Sequence, residues 1–125
     1  MKKIVFTANA PKPVGPYSQA VQAGGFLFIS GQLPIDPKEG KIIATSIGVQ
    51  TRQVLENVNS ILEAANFSLK DVVQTTVFLS SMSLFDEFNR EYVKFFEADF
   101  PSRATVGAKL KAGALVEVAV VAHKG

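Results

Sequence analysis

Residues 115–122 read LVEVAVVA, and nearly every position in this segment carries an apolar side chain. Residues 72–79, VVQTTVFL, are also rich in β-branched and apolar residues, so both segments predict β-strands. A strand that faces water on one side should alternate apolar and polar residues. Because both sides of these two strands carry apolar or small residues, we expect both faces of their sheet to be buried.

The segments around these two strands predict the remaining strands of an α+β domain. A short strand is expected at 3–7, and a strand that begins at Arg103 is expected at 103–108. The sequence AVQAGGFLFISG at 20–31 predicts a hairpin whose turn is Gly24-Gly25. The two strands richest in apolar residues are expected at 71–80 and 114–122, and a turn-rich segment, PIDPKEGK, at 34–41.

Apolar residues at helical spacing predict two helices. The first should be capped by Thr45 or Ser46 and stop at Asn66, which tolerates the left-handed conformation. The second should be capped by Ser83 and end before Pro101. A stripe of aromatic residues along the second helix is interpreted as core.

Two helices can cover only one face of a mixed sheet of four to six strands. We therefore expect the second face to be buried against other copies of the chain. Ligand sites are then expected at the seams between copies, because pockets favour such interfaces.

Composition limits the classes of function. The 125 residues predict a single domain over 1–125. Because the chain has no cysteine and one histidine, His123, we expect no disulfide, no metal site and no Ser-His-Asp triad. The net charge is +2 and the basic residues are scattered, whereas nucleic-acid-binding faces usually cluster them. No signal peptide or membrane span is recognisable, so a soluble cytoplasmic protein without a cofactor is expected.

Two charged residues lie in or beside predicted apolar strands. Glu117 is inside the run at 115–122, where an ionised carboxylate is costly unless it is paired or hydrogen-bonded. Arg103, one of three arginines, stands in the sequence FPSRATVGA at 100–108. It is on the preceding strand and is therefore a candidate partner of Glu117. A structural ion pair, or a strand end that meets solvent, would explain the same pattern.

Four further polar or small residues are weaker candidates: Tyr17, Ser30, Gly31 and Asn89. Taken singly, they are more simply explained as a packed loop aromatic, a turn and a solvated helix residue. Gly24-Gly25 lacks the spacing of a dinucleotide loop, and the chain has no GxxxxGK[ST] motif. These residues alone predict an oligomeric α+β protein with an Arg/Glu pocket, and they do not identify a substrate.

Three segments taken together resemble the RidA family, also called YjgF/YER057c/UK114. They are GPYSQAV at 15–21, FISGQLPIDP at 28–37 and FPSRATVGAKLKAGALVEVAV at 100–120. The resemblance extends from Lys3 to Ala122 and implies a chorismate-mutase-like fold. It also implies a homotrimer with the sheets packed inward, the helices outward and active clefts between subunits.

The resemblance implies hydrolysis of reactive enamine/imine intermediates such as 2-iminobutanoate and 2-iminopropanoate, which gives 2-oxo acids and ammonia. Carried onto this sequence, the family pattern makes Arg103 the residue that binds the substrate carboxylate. Glu117 would hold and polarise the attacking water. The family pattern places four more residues in or beside the pocket: Tyr17, Ser30, Gly31 and Asn89.

Other functions are compatible with the same residues. A trimer could use the Arg103 cleft to sense 2-oxo acids without turnover. An RNA-acting translation inhibitor or endoribonuclease is disfavoured by the scattered basic residues and by the lack of a histidine near Arg103. A chorismate mutase is disfavoured because a dianionic substrate would require more than one arginine in the cleft.

Overall fold

Ten strands and helices are present in the computed structural model, which describes residues 1–43 and 45–125. In chain order they are β1 (Lys3–Val5), β2 (Ala20–Ala23), β3 (Phe26–Gln32), β4 (Ile35–Asp36), β5 (Lys41–Ile42), α1 (Ile47–Ala64), β6 (Val72–Leu79), α2 (Phe85–Phe96), β7 (Ser102–Gly107) and β8 (Val116–His123). Short 3-10 turns at Leu69–Asp71 and Met82–Leu84 precede β6 and α2. The order of strands and helices is the predicted one, with the small β4–β5 ribbon added.

Six strands form one mixed sheet in the order β1-β2-β3-β8-β6-β7. All neighbours are antiparallel except β6 and β7, which run parallel and are connected through α2, as a parallel pair requires. The predicted hairpin is present as β2 and β3, and its turn residue Gly24 has a φ of 60°. The turn-rich segment at 34–41 contributes the separate β4–β5 ribbon, in which Ile35 pairs with Ile42. The α+β prediction is confirmed.

The predicted ends of α1 are confirmed. Of the two candidate caps, Ser46 is the N-cap, and its Oγ accepts a hydrogen bond from the Val49 backbone N–H at 3.3 Å. Asn66 follows the helix with a φ of 64°, the left-handed conformation predicted for it.

The prediction that Ser83 caps α2 is wrong. Ser83 lies inside the 3-10 turn Met82–Leu84, and α2 begins at Phe85 with no side-chain cap. Ser81 instead has the extended backbone that a cap needs, and its Oγ accepts the Ser83 N–H at 3.2 Å. The extra turn therefore moves the serine cap two residues towards the N-terminus.

Both helices pack on one face of the sheet, as predicted, and form the core with it. The helices contribute Val54, Leu55, Val58, Ile61, Leu62, Phe88, Tyr92 and Phe96. The sheet contributes Leu27, Ile29, Val77, Leu79, Val116, Val118, Val120 and Ala122. Over residues 1–43 and 45–125, neither helix has the length and apolar character needed to cross a membrane.

The opposite face of the sheet, which we call the open face, is also apolar. By strand alternation and register it carries Ile4, Val21, Phe26, Phe28, Phe78, Val106 and Val121. Phe28 is 46% exposed, and no described helix packs against it. The two-sided apolar strands thus leave one apolar face uncovered within a single chain, and its burial by other copies stays a prediction.

Candidate active site

Arg103 lies on the helix-covered face of the sheet. In the parallel β6–β7 pair it is the register partner of Thr75, which is buried under the helices. Its guanidinium carbon Cζ is 4.8 Å from the ring centre of Tyr92, 5.5 Å from that of Phe88 and 5.6 Å from that of Phe85. The guanidinium therefore rests on three aromatic rings of α2.

This aromatic environment leaves the arginine charge available to a ligand. An aromatic face attracts a cation through its π electrons, so it holds the guanidinium without a carboxylate that would compete with an incoming anion. In the part of the chain that the structure describes, the ion pairs are Arg52–Glu91 and Lys94–Glu91, and neither involves Arg103. Arg103 is thus positioned by rings and carries an uncompensated charge at a half-buried position.

A depression of about 290 Å³ adjoins the guanidinium. It is lined by Asn89, Tyr92, Val93, Phe100, Pro101 and Arg103. Arg103 and Asn89 are its polar lining residues, and the Tyr92 hydroxyl is hydrogen-bonded to Thr75. The depression brings together two of the predicted site residues, Arg103 and Asn89.

Glu117 lies on the other face of the sheet. It is the register partner of Phe78 on β6 and projects towards the open face, which it shares with Ala119 and Val121 and where it is half-buried. Burial raises the pKa of its carboxyl above the usual glutamate range. No hydrogen bond or ion pair to this carboxylate occurs within residues 1–43 and 45–125. A carboxyl with a raised pKa takes up a proton more readily than an exposed one.

Gly31 makes room for this carboxylate. The register of β3 against β8 shifts between Ile29 and Gln32, so Ser30 and Gly31 form a bulge opposite Ala119. A Cβ added to Gly31 would overlap Glu117 Oε2 and approach its Cδ to 3.0 Å. The nearest neighbour of this glycine is therefore the predicted catalytic carboxylate, and its contact with a ligand stays a prediction.

Ser30 and Tyr17 lie in the segments beside Gly31. The Ser30 hydroxyl donates to the Ser18 carbonyl at 2.6 Å, which fixes the proton and leaves the oxygen able to accept. Tyr17 is 47% exposed, and its hydroxyl accepts from the Val14 N–H at 3.3 Å. Tyr17 and Gly31 also line one shallow pocket. The structure thus places Gly31 against Glu117, and Ser30 and Tyr17 in the segments next to Gly31.

Arg103, the candidate partner of Glu117, does not pair with it within one chain. Their strands are consecutive in sequence, but β6 lies between them in the sheet. Arg103 registers with Thr75 and Glu117 with Phe78, an odd separation that places their side chains on opposite faces. The candidate site therefore has two halves: Arg103 with Asn89, and Glu117 with Gly31 and its neighbours.

Sequence analysis missed the aromatic rings beneath Arg103. Phe85, Phe88 and Tyr92 were interpreted as core alone, yet all three also contact the guanidinium. Their spacing of three and four residues was the available signal, since it places all three on one helix face. The spacing does not show that this helix face contacts Arg103, because that contact depends on the parallel pairing of β6 with β7.

Sequence analysis also missed Gln19, which organises the segment before Tyr17. It is buried, and its Nε2 donates to the carbonyls of Thr7, Ala10 and Pro11, while its Oε1 accepts the Thr7 N–H at 2.7 Å. A glutamine beside a proline-rich loop was the only signal. Within the described ranges, no three His, Cys, Asp or Glu side chains come together as a metal site.

Comparison with known proteins identifies the family. Residues 7–124 match the family model described as Endoribonuclease L-PSP. A RutC family protein of Pyrococcus horikoshii is 51% identical over 125 residues, which cover 99% of each chain. The human 2-iminobutanoate/2-iminopropanoate deaminase is 36% identical, with 100% of this chain and 92% of the human protein covered. This chain belongs to the RidA (YjgF/YER057c/UK114) family.

A solved RidA-family structure matches the whole fold. The crystal structure of Escherichia coli TdcF with bound serine has a TM-score of 0.93 and 35% identity, with 98% of this chain and 99% of TdcF covered. The resemblance recognised in three sequence segments is confirmed over almost the full length. The two site halves described above therefore belong to a RidA-family scaffold.

Proposed function

We propose that this protein is a cytoplasmic homotrimeric deaminase that hydrolyses 2-imino acids such as 2-iminobutanoate and 2-iminopropanoate. The observation that carries the proposal is the Arg103 guanidinium, which lies on aromatic rings beside a largely apolar depression. A planar guanidinium binds a carboxylate through two parallel hydrogen bonds, and the apolar walls suit a short alkyl chain. The human deaminase and the serine-bound relative support a small ligand that carries a carboxylate.

In the proposed reaction, Arg103 binds the substrate carboxylate and Glu117 orients a water molecule. The water oxygen adds to the imine carbon while its proton passes to the Glu117 carboxylate and then to the substrate nitrogen. The hydroxyl group formed in this way gives its proton, again through Glu117, to the amino nitrogen as the C–N bond breaks, so that ammonia leaves and the C=O bond of the 2-oxo acid forms. The raised pKa of Glu117 supports this role, because a general base works best when its pKa approaches the working pH.

The placement of the two halves on opposite sheet faces favours a site shared between copies. Within one chain, Arg103 lies under the helices and Glu117 projects from the open face. We propose that the open face packs against two further copies and that Arg103 and Asn89 of one copy meet Glu117, Gly31, Ser30 and Tyr17 of the next. Burial of the exposed Phe26 and Phe28 would contribute to the assembly free energy.

A coupled assay tests the activity. A threonine dehydratase generates 2-iminobutanoate, and formation of 2-oxobutanoate is followed with and without the protein. We expect acceleration that is lost in Arg103→Ala and only weakly restored in Arg103→Lys, because lysine cannot form the bidentate contact. Hydrolysis at the uncatalysed rate with the wild-type protein would contradict the proposal.

A mixing experiment tests the shared site. Arg103→Ala and Glu117→Gln are each expected to be inactive alone. When the two variants are refolded together, roughly a quarter of the shared sites should receive both intact halves and regain activity. Each variant refolded with itself is the control, and no recovery in the mixture would contradict the shared site.

A ligand-sensing protein is the second candidate. It is favoured by one observation: the Arg103 depression is formed entirely within one chain, so an anion could bind there without Glu117. Calorimetry with 2-oxobutanoate separates the candidates. Saturable binding without any acceleration of imine hydrolysis would favour the sensor.

A further inference from the structure

The phenol ring beneath Arg103 is fixed at its tip and on both sides. The Tyr92 hydroxyl and the Thr75 hydroxyl are 2.9 Å apart and form a hydrogen bond. The Tyr92 ring also lies between Phe88 and Phe96, whose ring centres are 5.3 and 4.8 Å away. Tyr92 is 5% exposed and Thr75 is 1% exposed, so water does not compete for this bond.

Thr75 occupies a particular place relative to the arginine. It is the direct register partner of Arg103 across the parallel β6–β7 pair, so both side chains lie on the same face at the same level of the sheet. A β-branched side chain has few χ1 rotamers in a strand, so the threonine hydroxyl is a stiff anchor. Thr75 therefore pairs with Arg103 in the sheet and also hydrogen-bonds to Tyr92, the ring that supports the guanidinium.

We propose that the Thr75–Tyr92 hydroxyl pair is a positioning device that holds the Arg103 guanidinium in the orientation that receives the ligand carboxylate. The inference rests on the proposed function, because it concerns the same anion site. Thr75 has no proposed contact with the ligand and acts through Tyr92, and Tyr92 acts through Arg103. Fixing a half-exposed arginine before binding reduces the conformational entropy lost when the ligand is captured.

The protonation of the phenol is consistent with this role. Burial raises the pKa of Tyr92 above the ordinary tyrosine value, against the opposing effects of the Thr75 hydrogen bond and the Arg103 charge. The phenol is therefore neutral at physiological pH. A phenolate would pair with the guanidinium and compete with a ligand carboxylate, whereas a neutral ring supports the cation and leaves its charge uncompensated.

Two variants and a matched control test the device. Tyr92→Phe keeps the ring and removes its hydroxyl, and Thr75→Val removes the partner hydroxyl with little change in shape. Thr51→Val is the control, because Thr51 is a fully buried threonine of α1 whose hydroxyl has no partner among the described residues. The dissociation constant of 2-oxobutanoate is measured by calorimetry, and KM and kcat are measured in the imine assay.

We expect each of the two variants to raise the dissociation constant and KM by roughly fivefold, the effect of losing one hydrogen bond. We expect kcat to change little, because carboxylate binding is common to the ground state and the transition state. The double variant should be no weaker than the worse single variant, since both remove the same bond. Thr75→Ser keeps a hydroxyl and should restore wild-type binding.

A ligand-independent measurement separates the failure of this inference from failure of the proposed function. The NMR signal of the Arg103 Nε–Hε group should be sharp in the wild-type protein and in Thr51→Val, and broadened in Tyr92→Phe. Equal signals and equal dissociation constants in Tyr92→Phe, Thr75→Val and Thr51→Val would overturn the device while the deaminase stands. A loss of kcat that follows the loss of thermal stability would also overturn it, because it would indicate a purely structural role. If the wild-type protein neither binds 2-oxobutanoate nor hydrolyses the imine, both proposals fall.

Discussion

At the scale of single residues, the two charged side chains differ in whether their surroundings favour the ionised form. Arg103 keeps its charge on aromatic rings that attract cations, whereas Glu117 lies among apolar side chains that disfavour its ionised form. Gly31 belongs to the same local arrangement, because its missing side chain is the space that the Glu117 carboxylate fills. The surroundings of each of these three residues are therefore formed by residues that are distant in sequence.

Gly31→Ala should displace the Glu117 carboxylate. The added methyl group would overlap Oε2, so we expect a loss of stability of about 1–3 kcal/mol, typical of overpacking, together with loss of imine hydrolysis. Gly48→Ala is the matched control, because a Cβ on this α1 residue would make only ordinary contacts, with Glu91 Cγ of α2 at 3.6 Å and Ser46 Oγ at 4.0 Å. The control should raise stability by about 0.5–1 kcal/mol, since alanine favours a helix. Thermal unfolding of both variants provides the test.

The stability of the protein should depend on pH through Glu117. Its pKa is raised in the folded state, so its protonated form favours folding at low pH, and this contribution is lost as pH rises through the folded pKa. In the unassociated chain, at concentrations below those at which copies assemble, Glu117→Gln should therefore unfold at a higher temperature than wild type near neutral pH. The difference should vanish as the pH falls below the usual glutamate value of about 4.3. A difference in melting temperature that stays constant from about pH 4 to about pH 8 would contradict this assignment.

At the scale of helices and strands, local chemistry explains the ends of α1 and fails for α2. Ser46 and Asn66 act as the sequence predicts because each satisfies its own neighbouring backbone. Ser83 does not, because the chain leaves β6 through an additional 3-10 turn capped by Ser81. Whether such a turn precedes a helix depends on how the helix must enter the core, and a local S-x-x-D pattern does not contain that information.

Two serine substitutions test this account of the helix starts. Ser46→Ala removes the Oγ that accepts the Val49 N–H and should cost about 1 kcal/mol of unfolding free energy. Ser83→Ala should change stability by less than about 0.5 kcal/mol, since Ser83 is exposed and caps no helix. Urea unfolding measures both, and a larger cost for Ser83→Ala would restore it as the cap of α2.

The sequence pattern predicts where the strands lie better than it predicts which strands are adjacent in the sheet. The strands at 20–31, 71–80 and 114–122 are confirmed to within two residues, because period and composition are local properties. The pairing of Arg103 with Glu117 failed because sheet order is a property of the whole chain, and β6 lies between the two strands. The family resemblance implies candidate site residues, but it does not show which of them lie on the same face of one chain.

At the scale of the whole molecule, the open face is the feature that a single chain leaves incomplete. Large apolar side chains such as Phe26, Phe28 and Ile4 are between 43% and 54% exposed on a continuous sheet surface. Contiguous apolar patches of this kind mark association surfaces. The proposed assembly would bury this face, and it would also account for the two-sided apolar pattern of β6 and β8.

Phe28→Asp should prevent the proposed trimer from forming. A carboxylate at the centre of an apolar interface costs several kcal/mol when desolvated, so association should be lost. Met82→Asp is the matched control, because Met82 is equally exposed in the 3-10 turn before α2. Light scattering at micromolar concentration should give trimers for wild type and Met82→Asp, and one third of that mass for Phe28→Asp. Trimeric Phe28→Asp would show that copies meet through another surface.

The bulge at Ser30 and Gly31 has a consequence for how the chain tolerates length changes. Ile29 and Gln32 both point towards the helices although three positions separate them, because the additional residue reverses the in–out alternation of β3. Removing one residue at the bulge would leave Ile29 and Gln32 two positions apart, so regular alternation would keep both inward, and the change would fall on the Ser30 and Gly31 positions beside Glu117. A single-residue deletion there should therefore allow the chain to fold but should displace the Glu117 carboxylate and abolish imine hydrolysis, whereas the same deletion in the exposed tip at 38–40 shortens a solvated connection between β4 and β5 and should leave the hydrolysis unchanged.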